Sequence, residues 1–238
     1  MEEAVGRGEV VLVVDTLRFS STAVAAAHAG VRLLPLDARR EEARETAARL
    51  GLPVVGSSRT PGSRPDVPTD SPLWYTKHGR AGSAYVYASP NGARLTSLAG
   101  WYPHMYVGAF LNASAVAAAA AGAARGAGMH VCVVAAGERS TDFYPQAAPR
   151  RLFAVEDWLA AGAIAAGTRL ELSPEARVAA SAYESCRREL GAVLRECLSG
   201  LWLVESGRGE EVDFCARVDA LPVVAVVREG WIVAQGDS

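Results

Sequence analysis

The stretch VVDTLRFSST, residues 13–22, places side chains that could bind a phosphorylated anion within a few positions of one another. Arg18 follows Asp15 by three positions, and the hydroxyls of Ser20 and Ser21 come next. Arginine can hold a phosphate or carboxylate through two parallel hydrogen bonds, and hydroxyls add further donors. Asp15 would repel such an anion unless a cation lay between them, and Mg²⁺ takes carboxylate and phosphate oxygens together. The pattern therefore predicts a site for a phosphorylated anion and Mg²⁺.

An ordinary structural explanation of the same residues stays open at this point. Asp15 or Ser20 could cap the helix that follows, because aspartate and serine are common N-caps. Arg18 could equally pair with an acid at the protein surface. The types and spacing of these residues do not decide between the two explanations.

The cluster lies where a strand is expected to give way to a helix. EVVLVV (9–14) is a continuous apolar run typical of a strand buried on both faces, and residues 21–29 predict a helix that ends at Gly30. The start of a helix offers free N–H groups and a partial positive charge, which favours an anion there. The local elements are thus consistent with anion binding.

Predicted strands and helices alternate along the whole chain, which indicates an α/β fold. We expect a layered, mostly parallel central sheet with flanking helices. No linker divides the sequence, so residues 1–238 are expected to form one domain, although two lobes without a marked boundary stay open. The predicted strands are 9–14, 31–36, 52–55, 84–89, 104–110 and 129–137, with a closing hairpin in 221–235, and the helices are 21–29, 38–50, 112–128, 155–167 and 173–198.

Polar segments follow several of these strands. Asn91-Gly92, the segment from Asn112 to Ser114, and residues 136–142 each come after a predicted strand. Ligands of open α/β sheets bind outside the carboxyl ends of the strands, so these segments could meet at one mouth. Taken singly, each has a structural alternative: Asn-Gly forms turns and Asn112 suits a helix N-cap. Glu156-Asp157 near a helix start would also suit the helix dipole alone.

Composition and charge narrow the class of protein. The chain has 238 residues, half of them apolar, and a formal net charge of −2, which gives no bulk field for nucleic acid or an anionic membrane. It contains no apolar run long enough to span a bilayer, and MEEAVGRGEV does not resemble a signal peptide. The four cysteines match no zinc-site spacing. We therefore expect a cytoplasmic protein with reduced, mostly buried thiols.

Several common catalytic motifs are absent from the sequence. It has no Walker A loop, no GxGxxG after a strand and no GxSxG nucleophile elbow. A strand ending in Asp-x-Asp would indicate a haloacid-dehalogenase-like phosphatase, but Leu17 occupies the place of the second acid. The four histidines are scattered and form no ligand pair at helical spacing.

Six segments, taken together and in order, resemble one family: that of the 2-phosphosulfolactate phosphatases, or ComB proteins. The resemblance covers about residues 9–227, nearly the whole chain. The segments are VVDTLRFSST (13–22), DSPLWY (70–75), SPNGARL (89–95), GAFLNASAVA (108–117), VEDWLAAGAI (155–164) and EVDFCARVD (211–219).

The resemblance implies a ComB-like, Mg²⁺-dependent phosphatase that converts 2-phosphosulfolactate and water to 3-sulfolactate and phosphate, a step towards coenzyme M. From the matched positions we expect three overlapping sets of site residues. The catalytic set is Asp15, Arg18, Asn91 and Asp157. The substrate-binding set is Arg18, Ser20, Ser21, Asn91, Gly92, Asn112 and Ser114. The metal-binding set is Asp15, Glu156 and Asp213, and Cys215 also falls on a matched position.

The sequence also departs from the family pattern. Residues 69–72 are Thr-Asp-Ser-Pro where the family usually has Gly-Asn-Ser-Pro, so Asp70 adds an acid, and Ala-Ser-Pro stands before Asn91 in place of threonines. These changes leave open a member that binds a small phosphorylated anion without turning it over. Either way the partner is a small anion, with no nucleic acid or membrane, and a homodimer would be common for such a fold. Cations expected near the mouth are Arg18, Arg59, Arg64, Lys77 and Arg94.

Overall fold

The five consecutive apolar residues of Val10–Val14 form a strand, β1, that is fully buried on both faces. This strand lies near the middle of the fold in a computed structural model that describes residues 1–37, 40–56, 67–146 and 148–236. Val11 and Val13 point into one hydrophobic cluster, whereas Val10, Leu12 and Val14 point into another. Because side chains alternate along a strand, β1 separates two apolar layers, and helices cover both.

The remaining elements follow in chain order. The other strands are β2 (Arg32–Leu36), β3 (Ala84–Ala88), β4 (Met105–Gly108), β5 (Val131–Ala135), β6 (Glu138–Arg139), β7 (Arg151–Leu152), β8 (Ala225–Arg228) and β9 (Trp231–Ala234). The helices are α1 (Glu2–Gly6), α2 (Phe19–His28), α3 (Arg40–Leu50), α4 (Pro72–His78), α5 (Gly92–Ser97), α6 (Ala113–Ala127), α7 (Ser140–Phe143), α8 (Val155–Thr168), α9 (Pro174–Cys186), α10 (Leu190–Glu196), α11 (Leu198–Glu205) and α12 (Gly209–Cys215). A 3₁₀ turn, Phe110–Asn112, precedes α6.

In the described part of the chain, seven strands form one sheet in the order β3-β2-β9-β8-β4-β1-β5. β1 pairs in parallel with β4 and β5, and β2 pairs in parallel with β3. β8 and β9 pair with each other in antiparallel direction and form the closing hairpin predicted in residues 221–235. The expected α/β fold with a mostly parallel central sheet and flanking helices is therefore confirmed.

The hairpin sits in the middle of the sheet and reverses the direction of one half relative to the other. β8 is antiparallel to β4, β9 is antiparallel to β8, and β2 is antiparallel to β9. After these three reversals β2 and β3 run opposite to β4 and β1. Adjacent strands also rotate by about 20–25°, so the five steps from β3 to β1 accumulate roughly 100–125° of twist.

Small side chains let the helices approach the sheet closely. Every residue of α2 from Phe19 to Ala27 is buried, and four of these nine residues are alanine. On the opposite layer, α6 and α8 contribute Ala117, Ala120, Ala160 and Ala163 to the same cluster. β1 ends just before Asp15, and α2 starts four residues after it. The close packing of the helices on the sheet therefore fixes both elements beside Asp15.

Two elements differ from their sequence predictions. The helix expected over 173–198 is two helices, α9 and α10, because Leu190 and Leu194 turn into the core beside Leu203 of α11 and Val212 of α12. Ser173 is the N-cap of α9, because its side chain accepts a hydrogen bond from the Ala176 amide. The predicted strand 52–55 is reduced to a single bridge between Val54 and Val86.

None of the helices in the described ranges has the length and hydropathy needed to cross a bilayer.

Candidate active site

The turn that leaves β1 is held by its own hydroxyl groups. Ser20 Oγ accepts a hydrogen bond from the Asp15 amide at 2.8 Å and donates to the Val13 carbonyl at 3.3 Å. Ser21 Oγ donates to the Thr16 carbonyl at 2.8 Å. Both serines are fully buried and neither lines the neighbouring cavity. The serines therefore fix the position of Asp15, and their direct contact with substrate stays a prediction.

Asp15 lies at the end of β1 and meets the start of α5. Its Oδ2 accepts a hydrogen bond from the backbone N–H of Gly92 at 2.6 Å. Burial, with a smaller contribution from the charge of Glu156, raises the pKa of Asp15 to about 6, whereas backbone N–H groups and Arg151 act in the opposite direction. A cation beside Asp15 would stabilise the carboxylate form that burial disfavours.

Asp157, the second residue carried over from the α8 motif, ties two strand ends together. Its Oδ1 accepts from the Thr16 amide at 2.7 Å and its Oδ2 accepts from the Gly137 amide at 3.0 Å. Burial, with the charges of Asp15 and Glu156, raises its pKa well above the usual range. Both oxygens are thus occupied by backbone donors, so the structure shows a positioning contact, and a direct catalytic role stays a prediction.

Asn91 belongs to a chain of hydrogen bonds that the sequence did not reveal. Its Nδ2 donates to Glu138 Oε2 at 2.7 Å, and its Oδ1 accepts from Arg151 Nη1 at 2.6 Å. Ser199 Oγ donates to Glu138 Oε1 at 3.0 Å. Because arginine only donates, the orientation of the Asn91 amide is fixed. Asn91 therefore links Arg151 to Glu138.

The acids at this end of the sheet act on one another electrostatically. Burial raises the pKa of Glu138 to about 8, with further contributions from the charges of Asp15 and Glu156. The cluster consists of four carboxyl groups, Asp15, Glu138, Glu156 and Asp157, drawn from the ends of β1 and β5 and the start of α8. Mutual repulsion of this kind is relieved when a cation binds between the groups.

The donor set of this acid cluster fits Mg²⁺. Carboxylate oxygens are the ligands that Mg²⁺ prefers, and the ion often uses only one or two of them, together with waters and substrate phosphate oxygens. Within the described ranges, no three His, Cys, Asp or Glu side chains are arranged as a ready metal site. Asp15 and Glu156 are the residues of the predicted metal set that lie together.

Arg18 is held between two acids. Its Nη1 donates to Glu211 Oε2 at 2.6 Å and its Nη2 donates to Asp70 Oδ2 at 2.9 Å. Burial disfavours its charged form, but Asp70 and Glu211 outweigh this and raise the pKa of Arg18. Of the two acids only Asp70 lines the cavity, with 21% of its side chain exposed against 7% for Glu211. An anion that reaches Arg18 must therefore compete with Asp70.

Asp15 and Glu138 of the acid cluster, together with Arg18, line a cavity of about 1030 Å³. This volume exceeds what a small phosphorylated acid needs. Arg94, predicted near the mouth, lines the cavity and pairs with Asp37 at 3.3 Å. Lys77 lies on α4 away from the lining, and Arg59 and Arg64 lie outside the described residues. The described cationic residues that line the cavity are Arg18, Arg44, Arg94 and Arg139.

Of the eleven predicted site residues, Asp15, Arg18 and Asn91 line this cavity, and the contacts of Asn112, Ser114 and Asp213 lie away from the acid cluster as well. Asn112 is fully buried, where its Oδ1 accepts from the Ala109 amide and its Nδ2 donates to the Val107 and Val223 carbonyls. Its side chain therefore braces the loop before α6 and makes no cap hydrogen bond to that helix.

Ser114 is exposed and donates from Oγ to Asp219 Oδ2 at 2.6 Å. Asp213 forms two hydrogen bonds to Arg195 on the surface, and these lower its pKa. Neither residue lines the cavity. The substrate-binding role assigned to Ser114 and the metal-binding role assigned to Asp213 therefore have no support from the geometry.

The sequence analysis missed Glu138, Arg151, Ser199 and Glu211. Glu138 lies in the segment 136–142 that follows a predicted strand, so the position of this acid at a strand end was the one available signal. Arg151 lies on β7 and Ser199 lies on α11, and the periodicity of the sequence predicted neither element. Glu211 is two residues from Asp213 on α12, and the two side chains have opposite environments, buried and exposed.

Comparison with known proteins identifies one family along nearly the whole chain. The family model described as 2-phosphosulpholactate phosphatase matches residues 2–230. A protein of Pseudothermotoga lettingae named probable 2-phosphosulfolactate phosphatase is 26% identical over 99% of this chain and 96% of its own length. One of Symbiobacterium thermophilum with the same name is 28% identical over 98% of this chain and 96% of its own.

Proposed function

The chain belongs to the 2-phosphosulfolactate phosphatase family, and from this premise we propose that it hydrolyses 2-phosphosulfolactate, or a closely related small anionic phosphomonoester, with the help of Mg²⁺. The observation that supports this proposal most directly is that Asp15 and Glu138 lie on the wall of the same cavity. Asp15, which is buried, and Glu138, which is partly buried, line one large cavity that also holds arginines. Phosphoryl transfer depends mainly on positioning and charge neutralisation, and such a site offers both.

In this proposal Asp15 and Glu156 hold the metal. When bound, Mg²⁺ supplies charge neutralisation at the phosphoryl oxygens and a more acidic water. Gly92 and Ser20 hold Asp15 through their hydrogen bonds, at 2.6 and 2.8 Å, so that its carboxylate keeps a fixed direction. Asp157 accepts hydrogen bonds from the turns after β1 and β5, and it thereby holds these two turns together.

The arginines receive the anionic groups of the substrate. Arg44 and Arg139 are exposed on the cavity wall, and Arg94 stands beside Asp37. A phosphate and a second acidic group need several positive partners, and guanidinium groups bind both through paired hydrogen bonds. The proposed substrate is therefore a small molecule with two kinds of anionic group.

The proposal includes a cytoplasmic location. All four cysteines, Cys132, Cys186, Cys197 and Cys215, are free thiols. Reduced cysteines are typical of proteins in a reducing compartment.

Phosphate release from racemic 2-phosphosulfolactate tests the proposal, measured with Mg²⁺ and with a chelator beside a panel of other phosphorylated hydroxy acids. We expect Mg²⁺-dependent release that is faster for 2-phosphosulfolactate than for the panel. Faster release from another member would replace the substrate and keep the reaction. Release that the chelator does not lower would contradict the metal requirement.

A second candidate function rests on the contact between Asp70 and Arg18. Asp70 stands where the family usually has asparagine, and it occupies an arginine that lines the cavity. A protein in this state could bind a phosphorylated anion without turning it over. Binding of 2-phosphosulfolactate by calorimetry, with no phosphate release in the presence of Mg²⁺, would favour this candidate.

A further inference from the structure

We propose that Glu138 is a further catalytic residue, which gives a proton to the oxygen of the leaving alcohol when the phosphate ester breaks. This inference rests on the proposed phosphatase function and names a residue that the sequence motifs do not include. Its basis is the place of Glu138 on the cavity wall with Asp15 and the set of contacts that hold its carboxyl group.

Three other segments of the chain support Glu138, and two of them bond its carboxyl group. Asn91 comes from the turn before α5, Ser199 from α11 and Arg151 from β7, while Glu138 itself begins β6. β6 and β7 pair directly, with Glu138 opposite Leu152. A side chain fixed from this many sides loses little freedom on reaching a reactive geometry, which is what a proton donor requires.

The contacts suit Glu138 both with and without its proton. Asn91 Nδ2 can only donate, so it always faces an unprotonated oxygen, Oε2. Ser199 Oγ, 3.0 Å from Oε1, can donate to a carboxylate or accept from a carboxylic acid. Glu138 can therefore lose and regain a proton at Oε1 without leaving a buried polar atom unsatisfied.

In the metal-free protein the charges around Glu138 favour its protonated form. The acids that act on it are Asp15, Glu156, Asp157 and Asp142, and the cations on its side of the cavity are Arg151, which bonds Asn91, and Arg139, the next residue. Arg151 Nη1 donates its hydrogen bond of 2.6 Å to Asn91 Oδ1 and not to the carboxyl group of Glu138. Acids thus outnumber direct cationic partners at this carboxyl group.

The reaction balances with Glu138 as the donor. Water forms a bond to phosphorus while the bond from phosphorus to the ester oxygen breaks, and that oxygen takes the proton of Glu138 to become a neutral alcohol. The phosphate is then released as H₂PO₄⁻ beside the Glu138 carboxylate. Transfer of one proton from H₂PO₄⁻ gives HPO₄²⁻ and restores the acid. An alkoxide is a poor leaving group, so this proton matters for an alkyl phosphate and far less for an aryl phosphate.

The test compares Glu138→Gln with the wild type on two substrates with different leaving groups, at saturating Mg²⁺. We expect kcat for 2-phosphosulfolactate to fall about 10²–10⁴-fold and kcat for 4-nitrophenyl phosphate to fall less than about tenfold. In the wild type, kcat for 2-phosphosulfolactate should also decline as pH rises through the range where Glu138 ionises, and the variant should lack this decline. If the wild type does not hydrolyse 4-nitrophenyl phosphate, the pH profile alone tests the role of Glu138 as proton donor.

Asp142→Asn is the matched control, since Asp142 is another acid that lines the same cavity. Its effect should be the same for both substrates. An equal loss on both substrates in Glu138→Gln, with the alkaline decline retained, would overturn the proposal and leave the phosphatase function in place. A variant that recovers full activity at higher Mg²⁺ would overturn it too, because Glu138 would then be a metal ligand. A wild type that releases no phosphate from either ester would overturn the proposed function and this inference with it.

Discussion

The carboxylate of Asp15 rests on the backbone N–H of Gly92, with 2.6 Å between Oδ2 and N. The contact joins the end of β1 to the start of α5, 77 positions apart in the sequence. It also requires a glycine, because a Cβ at position 92 would overlap the ring of Phe19 and lie 2.7 Å from Asp15 Oδ2. Gly92, one of the residues predicted to bind substrate, therefore contacts Asp15 through its backbone N–H.

Gly92→Ala should displace Asp15 and remove most activity. We expect a loss of about 10²-fold in kcat, because a shift of about 1 Å in a reacting group has that effect. Overpacking should also lower the free energy of unfolding by about 1–3 kcal/mol. Phosphate release and urea denaturation measure the two effects. Gly122→Ala in α6 is the control, since a Cβ there meets no atom within 4 Å. Equal activity in the two variants would contradict a role for the Asp15–Gly92 contact.

Glu211 and Asp213 on α12 should differ sharply in their contribution to stability. Glu211→Gln removes one partner of the buried Arg18, and the free energy of unfolding should fall by about 3 kcal/mol. Asp213→Asn breaks an exposed pair with Arg195 and should cost less than about 1 kcal/mol. Chemical denaturation of both variants measures the difference. A loss of Mg²⁺ activation in Asp213→Asn would instead support the metal-binding role predicted from the sequence.

Asp70→Asn should improve the binding of anions. The carboxylate of Asp70 neutralises Arg18 on the cavity side, and asparagine keeps the shape of the side chain without its charge. We expect KM for 2-phosphosulfolactate to fall roughly fivefold, which corresponds to about 1 kcal/mol. Steady-state kinetics at constant ionic strength give the value. Glu41→Gln, on the nearby and exposed α3, controls for the general loss of one negative charge. The same change in KM for both variants would argue against the Asp70–Arg18 contact as its cause.

The metal-free protein should lose stability as pH rises from about 4 to about 8. Asp15 and Glu138 have pKa values of about 6 and about 8, above the values of an unfolded chain. Over this range the unfolded state has released protons that the native state still binds, so the free energy of unfolding decreases with pH. Melting temperatures across this range in the presence of a chelator test the expectation. Added Mg²⁺ should raise them most at the upper end, where its ligands are ionised.

Asp15→Asn separates these contributions. The amide oxygen of asparagine can still accept the Gly92 hydrogen bond, so the fold should persist while activity falls by at least about a hundredfold. The decline of melting temperature with pH should also be shallower, because one ionising group is gone. Full activity in this variant would contradict the proposed metal-binding role of Asp15.

Local sequence patterns predicted much of the fold, because many elements depend on the residues within them. The apolar run of β1 and the closing hairpin of β8 and β9 each express a preference of nearby residues, and both predictions are confirmed. The break between α9 and α10 could not be predicted in this way. It depends on Leu190 and Leu194 packing against α11 and α12, which are partners the sequence does not identify.

The candidate site was predictable where a strand end, a helix start or a family motif points to it. Asp15, Asn91, Glu156 and Asp157 were expected in one site, and charge interactions and hydrogen bonds connect Asp15, Glu156 and Asp157 with Glu138, the partner of Asn91. The partners of Arg18 and Asn91 were not, because Glu211 and Arg151 arrive from segments far along the chain. The backbone contacts of the serines and Asn112 were not predicted, although buried hydroxyls and amides often satisfy backbone groups in this way.

The central position of the β8–β9 hairpin makes the order of synthesis matter for this protein. Both halves of the sheet, β2–β3 and β5–β1–β4, are translated before the hairpin that joins them. Until residues 225–234 leave the ribosome, β2 and β4 each present an open edge with unpaired backbone groups, which favours association between nascent chains. The nascent protein therefore depends on its last strands to close the two edges, and chaperone protection is most valuable in that interval.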